Sequence, residues 1–186
     1  MVVVSRTPMS TGIPLLVGAG SIPELRMRDA AEALASHWKL PLVNAGVEDE
    51  PSDVLADQSL ALIRLCGDPA LQRKKGGHWI EALADWRRPV LILATGNNDG
   101  SVSGYAAAYT ALCQQLNAAL EGVIQIQGAW NAPQRRRDGL PWCGWIPAED
   151  DAHRVEQIER LTLCLSARTH DQLFSAEARA AVPDQA

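Results

Sequence analysis

The sequence predicts a three-layer α/β fold in which a mainly parallel sheet carries helices on both faces. Short apolar runs alternate along the chain with segments of helical periodicity, which is typical of repeated strand–helix units. The run Pro-Val-Leu-Ile-Leu-Ala at residues 89–94 is apolar on both faces, as a central parallel strand must be. The length of 186 residues suits one core, so we predict one domain over residues 1–170 and a C-terminal helix or tail over residues 171–186.

Six apolar runs predict the strands of this sheet. They lie at residues 13–17, 41–44, 60–66, 89–94, 122–127 and 141–146. The pattern does not reveal the order of the strands, but right-handed crossovers are expected between parallel neighbours.

The segments between the strands predict four helices and two loops. The first helix starts at Ser21, a capping residue with Pro23 in the first turn and Glu24 three positions on, and its apolar stripe begins at Leu25. The second carries Trp79 and Leu83, the third covers residues 103–116, and the fourth starts at Asp150 or Asp151 with the stripe Val155, Ile158, Thr162 and Leu165. The polar segments 46–58 and 129–139 predict loops, the former with at most one helical turn.

The composition excludes several classes of protein. Hydrophobic residues make up 47% and charged residues 21% of the chain, which is ordinary for a soluble globular protein. No apolar run is long enough for a membrane helix, and the first ten residues are too short an apolar stretch for a signal peptide, so we expect a cytoplasmic protein without a membrane partner. The net charge of −5 argues against nucleic-acid binding, which depends on neutralising phosphates.

The cysteines and histidines do not have the spacing of a metal or redox site. The four cysteines lie far apart, without a C-x-x-C pair, and the four histidines are scattered: Cys66, Cys113, Cys143, Cys164, His37, His78, His153 and His170. Zinc ribbons and redox motifs need closely spaced ligands, so we predict buried thiols, no metal and no cofactor.

The second half of the chain contains small and apolar motifs in a recognisable order. The strand at residues 89–94 is followed by Gly-Ser-Val-Ser at 100–103, by Leu-Glu-Gly-Val-Ile at 120–124 and by Gly-Leu-Pro-Trp-Cys-Gly-Trp-Ile-Pro at 139–147. From residue 60 to residue 147 this order resembles the dethiobiotin synthetase and MinD-like branch of the P-loop NTPases. The resemblance implies a P-loop NTPase-like fold.

The chain departs from that family at the residues that handle the nucleotide. The family's phosphate-binding motif is G-x-x-x-x-G-K-[ST], but no Lys-Ser/Thr pair follows Gly18. Arg64 stands near the place of the acid that helps hold magnesium, with Asp68 as the nearby carboxylate, and Gln125 or Gln127 replaces the base-reading asparagine. Loss of the lysine and the acid removes two stabilisers of phosphoryl transfer, so the resemblance implies a degenerate protein without significant ATP hydrolysis.

Two glycine-containing loops are the candidate ligand sites, because ligands of open α/β sheets bind at the carboxyl ends of the strands. Free amides at a helix N-terminus favour a small anion there. The same residue types are also typical of ordinary βα turns, so a structural role remains open. The predicted ligand-binding residues are Gly18, Gly20, Ser21, Gly96, Asn97, Asn98, Ser101 and Ser103.

A protein interface is predicted from two further features. Residues 103–120 contain no charged residue, whereas a surface helix normally has a charged face, so this helix is either covered within the fold or packed on a second copy or a partner. Tryptophan close to arginine is favoured at interfaces, although core packing and a solvated basic loop are the alternatives. The predicted interface residues are Tyr105, Tyr109, Leu112, Trp130, Arg135, Arg136 and Trp142.

Three hypotheses about function follow from the sequence. The first is a degenerate P-loop NTPase-like protein that acts through protein contacts, as a homodimer or with a partner, in assembly or regulation. The second is an enzyme or binding protein that takes a small anion or a nucleotide at the two glycine loops. The third is a structural subunit of a larger complex.

Overall fold

One six-stranded sheet organises the part of the chain that the structure describes. The computed structural model describes residues 14–20, 22–57, 61–70, 76–86 and 88–180, with the side chains at 55–57, 86 and 168–180 left out. The strand order is β2-β3-β1-β4-β5-β6, and every neighbouring pair is parallel. The predicted α/β fold with a parallel sheet is therefore confirmed.

The elements alternate along the chain as the apolar runs predict. The strands are β1 (Leu15–Gly18), β2 (Leu42–Gly46), β3 (Leu62–Cys66), β4 (Val90–Thr95), β5 (Leu120–Ile126) and β6 (Trp142–Ile146). The helices are α1 (Glu24–Trp38), α2 (Pro51–Asp57), α3 (Trp79–Trp86), α4 (Tyr105–Gln115), α5 (Ala132–Asp138) and α6 (Arg154–Ala180).

Strand β4 is central, as its apolar sequence predicts. It pairs with β1 on one side and β5 on the other, and its residues from Val90 to Ala94 are at most 1% exposed. A strand buried on both faces needs apolar side chains at every position, because a polar side chain there would lose its contact with water.

The direction of the chain along the sheet decides which face each helix covers. The chain passes from β1 through α1 to β2 at the edge of the sheet, and from β2 onward it moves the other way, toward β6. Right-handed crossovers in opposite directions place their helices on opposite faces. One core accordingly lies under α3 and α4 and includes Trp79, Ile80, Leu83, Tyr109 and Cys113. The other lies under α1 and α6 and includes Met27, Ala31, Leu34, Ile158 and Leu161.

Two predicted loops are wrong, because each contains a helix. Helix α5 occupies the predicted loop 129–139, where Asn131 accepts a hydrogen bond from the Gln134 amide at 3.0 Å and Gly139, with φ of 68°, ends the helix. Helix α2 makes more than the single turn expected in residues 46–58. Helix α6 runs unbroken past the boundary predicted at residue 171.

Several predicted positions within helices also need correction. Helix α1 begins at Glu24 with Pro23 at the N-cap position, and Ser21, the predicted cap, lies outside the described residues. Leu25 and Val155, both predicted in apolar stripes, are 76% and 66% exposed, and each lies in the first turn of its helix.

None of the helices within the described ranges combines the length and the apolar character needed to cross a bilayer.

Candidate functional site

The carboxyl ends of β1, β3 and β4 lie side by side at one edge of the sheet, and two separate cavities open there. The first, which we call the β1–β3 cavity, has a volume of about 300 Å³ and is lined by Gly18, Gly20, Ile22, Glu24, Met27, Leu65, Gly67 and Asp68. The second, the β4–α5 cavity, has about 290 Å³ and is lined by Asp99, Gly100, Ser101, Val102, Asn131, Gln134, Arg135 and Asp138. The two predicted glycine loops thus line different cavities.

Glu24 determines the charge of the β1–β3 cavity. If Gly18 is taken as the first glycine of G-x-x-x-x-G-K-[ST], then Pro23, Glu24 and Leu25 stand at the positions of the second glycine, the lysine and the hydroxyl residue. Glu24 is the first residue of α1, where the helix dipole favours a negative charge. A carboxylate therefore occupies the position at which the motif has a cation.

The Glu24 carboxylate is held by a buried arginine on the neighbouring strand. Arg64 of β3 is 3% exposed, and its Nη1 lies 2.7 Å from Glu24 Oε1. Its Nε donates to Asn44 Oδ1 at 2.8 Å, and exposed Arg28 approaches the same Glu24 oxygen at 3.5 Å. Arg64, which stands near the expected metal-holding acid, serves as the partner of Glu24.

Asp68 lines this cavity and accepts a hydrogen bond from helix α4, which also contacts the loop after β1. The Tyr109 hydroxyl and the Ala70 amide both donate to Asp68 Oδ1. Burial, and then the Asp68 carboxylate, raise the pKa of Tyr109 well above its usual value. Gly20 adopts a φ of +75°, and a Cβ there would lie 2.6 Å from the ring of Tyr105. Helix α4 thus packs directly on the loop after β1.

The predicted interface residues of α4 fall into two groups. Tyr109 is 5% exposed and Leu112 is half-buried against the core, so both serve the fold, whereas Tyr105 is 58% exposed. The outward side of the helix is exposed and uncharged: Ala107, Ala108, Ala111, Gln114 and Gln115.

The loop after β4 is closed by its own hydrogen bonds. The Asn97 amide donates to the Ser101 carbonyl and Asn97 Nδ2 donates to Ser101 Oγ, each at 2.9 Å. Asp99 Oδ1 accepts from the Ser101 amide at 2.9 Å and from Ser101 Oγ at 2.7 Å, and these bonds lower the pKa of Asp99. Ser103 Oγ accepts from the Tyr105 amide at 3.1 Å. Most of the side chains predicted to hold an anion here are therefore used within the loop.

Two residues of this loop differ from their neighbours. Asn98 is exposed and lines neither cavity. Gly96 lies so close to the Gln127 carbonyl and to the side-chain amide of Gln125 that a Cβ at Gly96 would clash with both. Its glycine is required by packing, because a Cβ has no room there.

Arg135 is a buried residue in the wall of the β4–α5 cavity. It is 4% exposed and donates from Nε to Gln125 Oε1 at 3.0 Å, from Nη1 to Asp138 Oδ2 at 2.5 Å, and from Nη2 to the Gly100 carbonyl. The guanidinium carbon also lies 4.8 Å from the ring centre of Trp142 and 5.9 Å from that of Trp130. These contacts join α5 to the loop after β4.

The arginines and tryptophans predicted at an interface differ in how far they are exposed. Trp130 and Trp142 are half-buried and meet edge to face with ring centres 6.2 Å apart. Arg136 is exposed, while Arg135 is enclosed by its own chain. Gln125, one candidate for the base-reading position, is fully buried and donates to the carbonyls of Gln127 and Ala129. Ser21 and the basic cluster at residues 73–75 lie outside the described residues.

The sequence alone did not identify Glu24 and Asp68 as a pair of carboxylates that line one cavity. Counting the motif from Gly18 would have placed Glu24 at the lysine position, because that count needs no structure. The approach of Asp68 to Tyr109 depends on how α4 crosses β3 and β1, which no local pattern contains.

No protein-family model matches the chain, and a search of curated proteins finds no match either.

Proposed function

We propose that the chain is a P-loop NTPase-like protein that does not hydrolyse nucleotide and that acts through contacts with other protein surfaces, in assembly or regulation. The observation that carries this proposal is Glu24. It lines the cavity after β1 and replaces the lysine of the phosphate-binding motif with a negative charge.

Electrostatics makes phosphate binding in this cavity unfavourable. At an effective dielectric constant of 20, two like unit charges about 4 Å apart repel by about 4 kcal/mol, whereas a lysine at the same place would attract by a similar amount. Asp68 adds a second carboxylate to the lining. The two nearby arginines, Arg64 and Arg28, both face Glu24 Oε1, and Arg64 is 3% exposed. The alternative function, a small-anion or nucleotide enzyme, needs a positive centre, and the described lining of the β1–β3 cavity contains no cationic side chain.

The outer side of α4 supports the part of the proposal that concerns protein contacts. Exposed positions 107, 108, 111, 114 and 115 are alanine or glutamine, and Tyr105 at the start of the helix is largely exposed. Charged residues are depleted and tyrosine is enriched in the centres of protein interfaces. This surface fits a second copy of the chain or a partner of similar character.

A nucleotide titration tests the first part of the proposal. Fluorescent ATP and GTP analogues with magnesium should show no saturable binding to the wild-type chain at micromolar to millimolar concentration, and turnover should stay below about 0.1 s⁻¹. The variant P23G/E24K/L25T/R64D restores the motif and exchanges the charges of the ion pair, so it should bind the analogues. Hydrolysis or tight binding by the wild type would contradict the proposal.

Sedimentation tests the second part. The wild type should show a sedimentation coefficient that rises with concentration, and Ala107→Glu or Gln114→Glu should reduce that rise, because each places a charge on the α4 surface. Ser36→Glu is the matched control, since it adds the same charge to an exposed position of α1 on the opposite face. A wild type that stays monomeric, or an equal effect of the control, would count against self-association through α4.

A further inference from the structure

We propose that the β1–β3 cavity binds a guanidinium group, supplied by an arginine side chain of a protein partner. This inference deepens the proposed function and rests on it. The described lining of the cavity holds two carboxylates and no cationic side chain, so a ligand with a positive charge suits it.

The size and position of the cavity suit a single side chain. It opens at the carboxyl ends of β1 and β3, the edge of a parallel sheet at which ligands bind. Its volume of about 300 Å³ lies at the small end of the range for small-molecule pockets, which is too little for a nucleotide and enough for an extended side chain.

The lining is divided between apolar and acidic groups. Ile22, Met27 and Leu65 can contact the aliphatic part of an arginine side chain, and Glu24 and Asp68 are the two ionisable residues in the described lining. Long basic side chains bind in this way, with the methylene groups on apolar surface and the charge beyond it.

Each carboxylate has one oxygen engaged and one oxygen available. Glu24 Oε1 accepts from Arg64 and is approached by Arg28, and Asp68 Oδ1 accepts from Tyr109 and Ala70. Within the described residues, Glu24 Oε2 and Asp68 Oδ2 accept no hydrogen bond. A guanidinium has five N–H donors in a planar fork, which matches carboxylate oxygens better than a lysine ammonium does.

Two exposed apolar side chains adjoin lining residues of the cavity, which favours a partner protein over a free cation. Tyr105 packs beside Gly20 and is 58% exposed, and Leu25 follows Glu24 and is 76% exposed. These are two of the four large apolar side chains that are exposed in the described part of the chain. An arginine flanked by apolar residues would cover both, whereas a small free cation would leave them in water. Burying them with the charge pair combines the aromatic and arginine contacts that dominate interface energetics.

The test uses the ¹⁵N-labelled full chain and two short peptides. Acetyl-Val-Arg-Val-amide should shift the backbone amides of Gly18, Gly20 and Gly67, and the neutral isostere with citrulline in place of arginine should bind about tenfold more weakly. Glu24→Gln and Asp68→Asn keep the side-chain size and should each weaken the arginine peptide about fivefold or more. Glu32→Gln, which removes a charge from an exposed position of the same helix, should leave binding unchanged.

Several outcomes would overturn the inference. Equal binding of the citrulline peptide, or no amide shift at about 10 mM peptide, would show that the cavity does not recognise the charge. Shifts caused by magnesium alone would assign the carboxylates to a metal, and n-butylguanidinium binding as tightly as the peptide would assign the cavity to a free cation. Magnesium-ATP shifting the same amides would overturn the proposed function as well, whereas the other outcomes leave that function standing.

Discussion

Replacing Arg135 by alanine should lower the free energy of unfolding by much more than replacing an exposed arginine such as Arg136. The side chain is 4% exposed and joins three separate segments, because it donates to Gln125 of β5, to Asp138 of α5 and to the carbonyl of Gly100 in the loop after β4. Its removal leaves three acceptors without that donor. One of them, the Asp138 carboxylate, belongs to a side chain that is only 16% exposed.

The expected loss follows from the contacts that disappear. Removing one member of a buried ion pair costs about 3–5 kcal/mol, because the remaining charge has neither its partner nor full hydration. The guanidinium also lies over the ring of Trp142 at 4.8 Å, a contact that contributes about 1 kcal/mol when partly desolvated. These contributions overlap, so we expect a total decrease in the free energy of unfolding of about 4 kcal/mol.

Urea unfolding followed by tryptophan fluorescence measures this loss. With a slope of about 2 kcal/mol per molar urea, a decrease of about 4 kcal/mol moves the midpoint down by about 2 M. Arg136→Ala removes the adjacent exposed arginine and should change stability by less than about 0.5 kcal/mol. A decrease of less than about 1 kcal/mol for Arg135→Ala, or an equal effect at Arg136, would refute the assignment of Arg135 as a buried link.

Three further predictions concern the core and the α4 contacts. Trp79→Ala should lower the free energy of unfolding by about 3–5 kcal/mol in urea titration, since the ring is fully buried and its Nε1 donates to the Val47 carbonyl at 3.0 Å. Gly20→Ala should cost about 1–2 kcal/mol in the same assay because φ is +75°, and a neutral result would contradict that backbone conformation. In a Tyr105→Phe variant, absorbance at 295 nm reports Tyr109 alone, because the chain has two tyrosines. Because the folded-state pKa of Tyr109 is raised, its contribution to stability is fully present below the unfolded pKa of about 10. That contribution is lost as the pH rises from there through the folded-state pKa. Ionisation of Tyr109 well below pH 10 would contradict its burial.

The parts of the fold that the sequence predicted well are those that local pattern controls. Strand β4 was identifiable because both of its faces are buried, which forces an unbroken apolar run. Helix α4 was identifiable from its periodicity, and its lack of charge was visible at once. The strand order was not, because pairing β1 with both β3 and β4 depends on contacts between segments far apart in the chain.

Helix α5 was missed because its apolar periodicity is absent. Its sequence, Ala-Pro-Gln-Arg-Arg-Arg-Asp, resembles a solvated loop, and the side chain it buries is Arg135. The signals that remained were at its ends, with Asn131 as a cap and Gly139 after the last turn. Helix α6 continues through residue 171, and no glycine or proline interrupts residues 154–180.

The candidate site shows how a correct physical rule can point to an incomplete conclusion. Glycine-rich turns and helix N-termini do favour negative charge, and that rule selected the loops after β1 and β4 as anion sites. In both loops the chain supplies a carboxylate of its own: Glu24 opens α1, and Asp99 accepts the Ser101 amide. A side chain tethered within the same loop needs no association entropy, so it competes with a free anion at a high effective concentration. The favourable positions for negative charge are then partly satisfied within the fold. Within the described residues, the β1–β3 cavity retains two carboxylate oxygens that accept no hydrogen bond, and this is the physical reason for expecting a cation there.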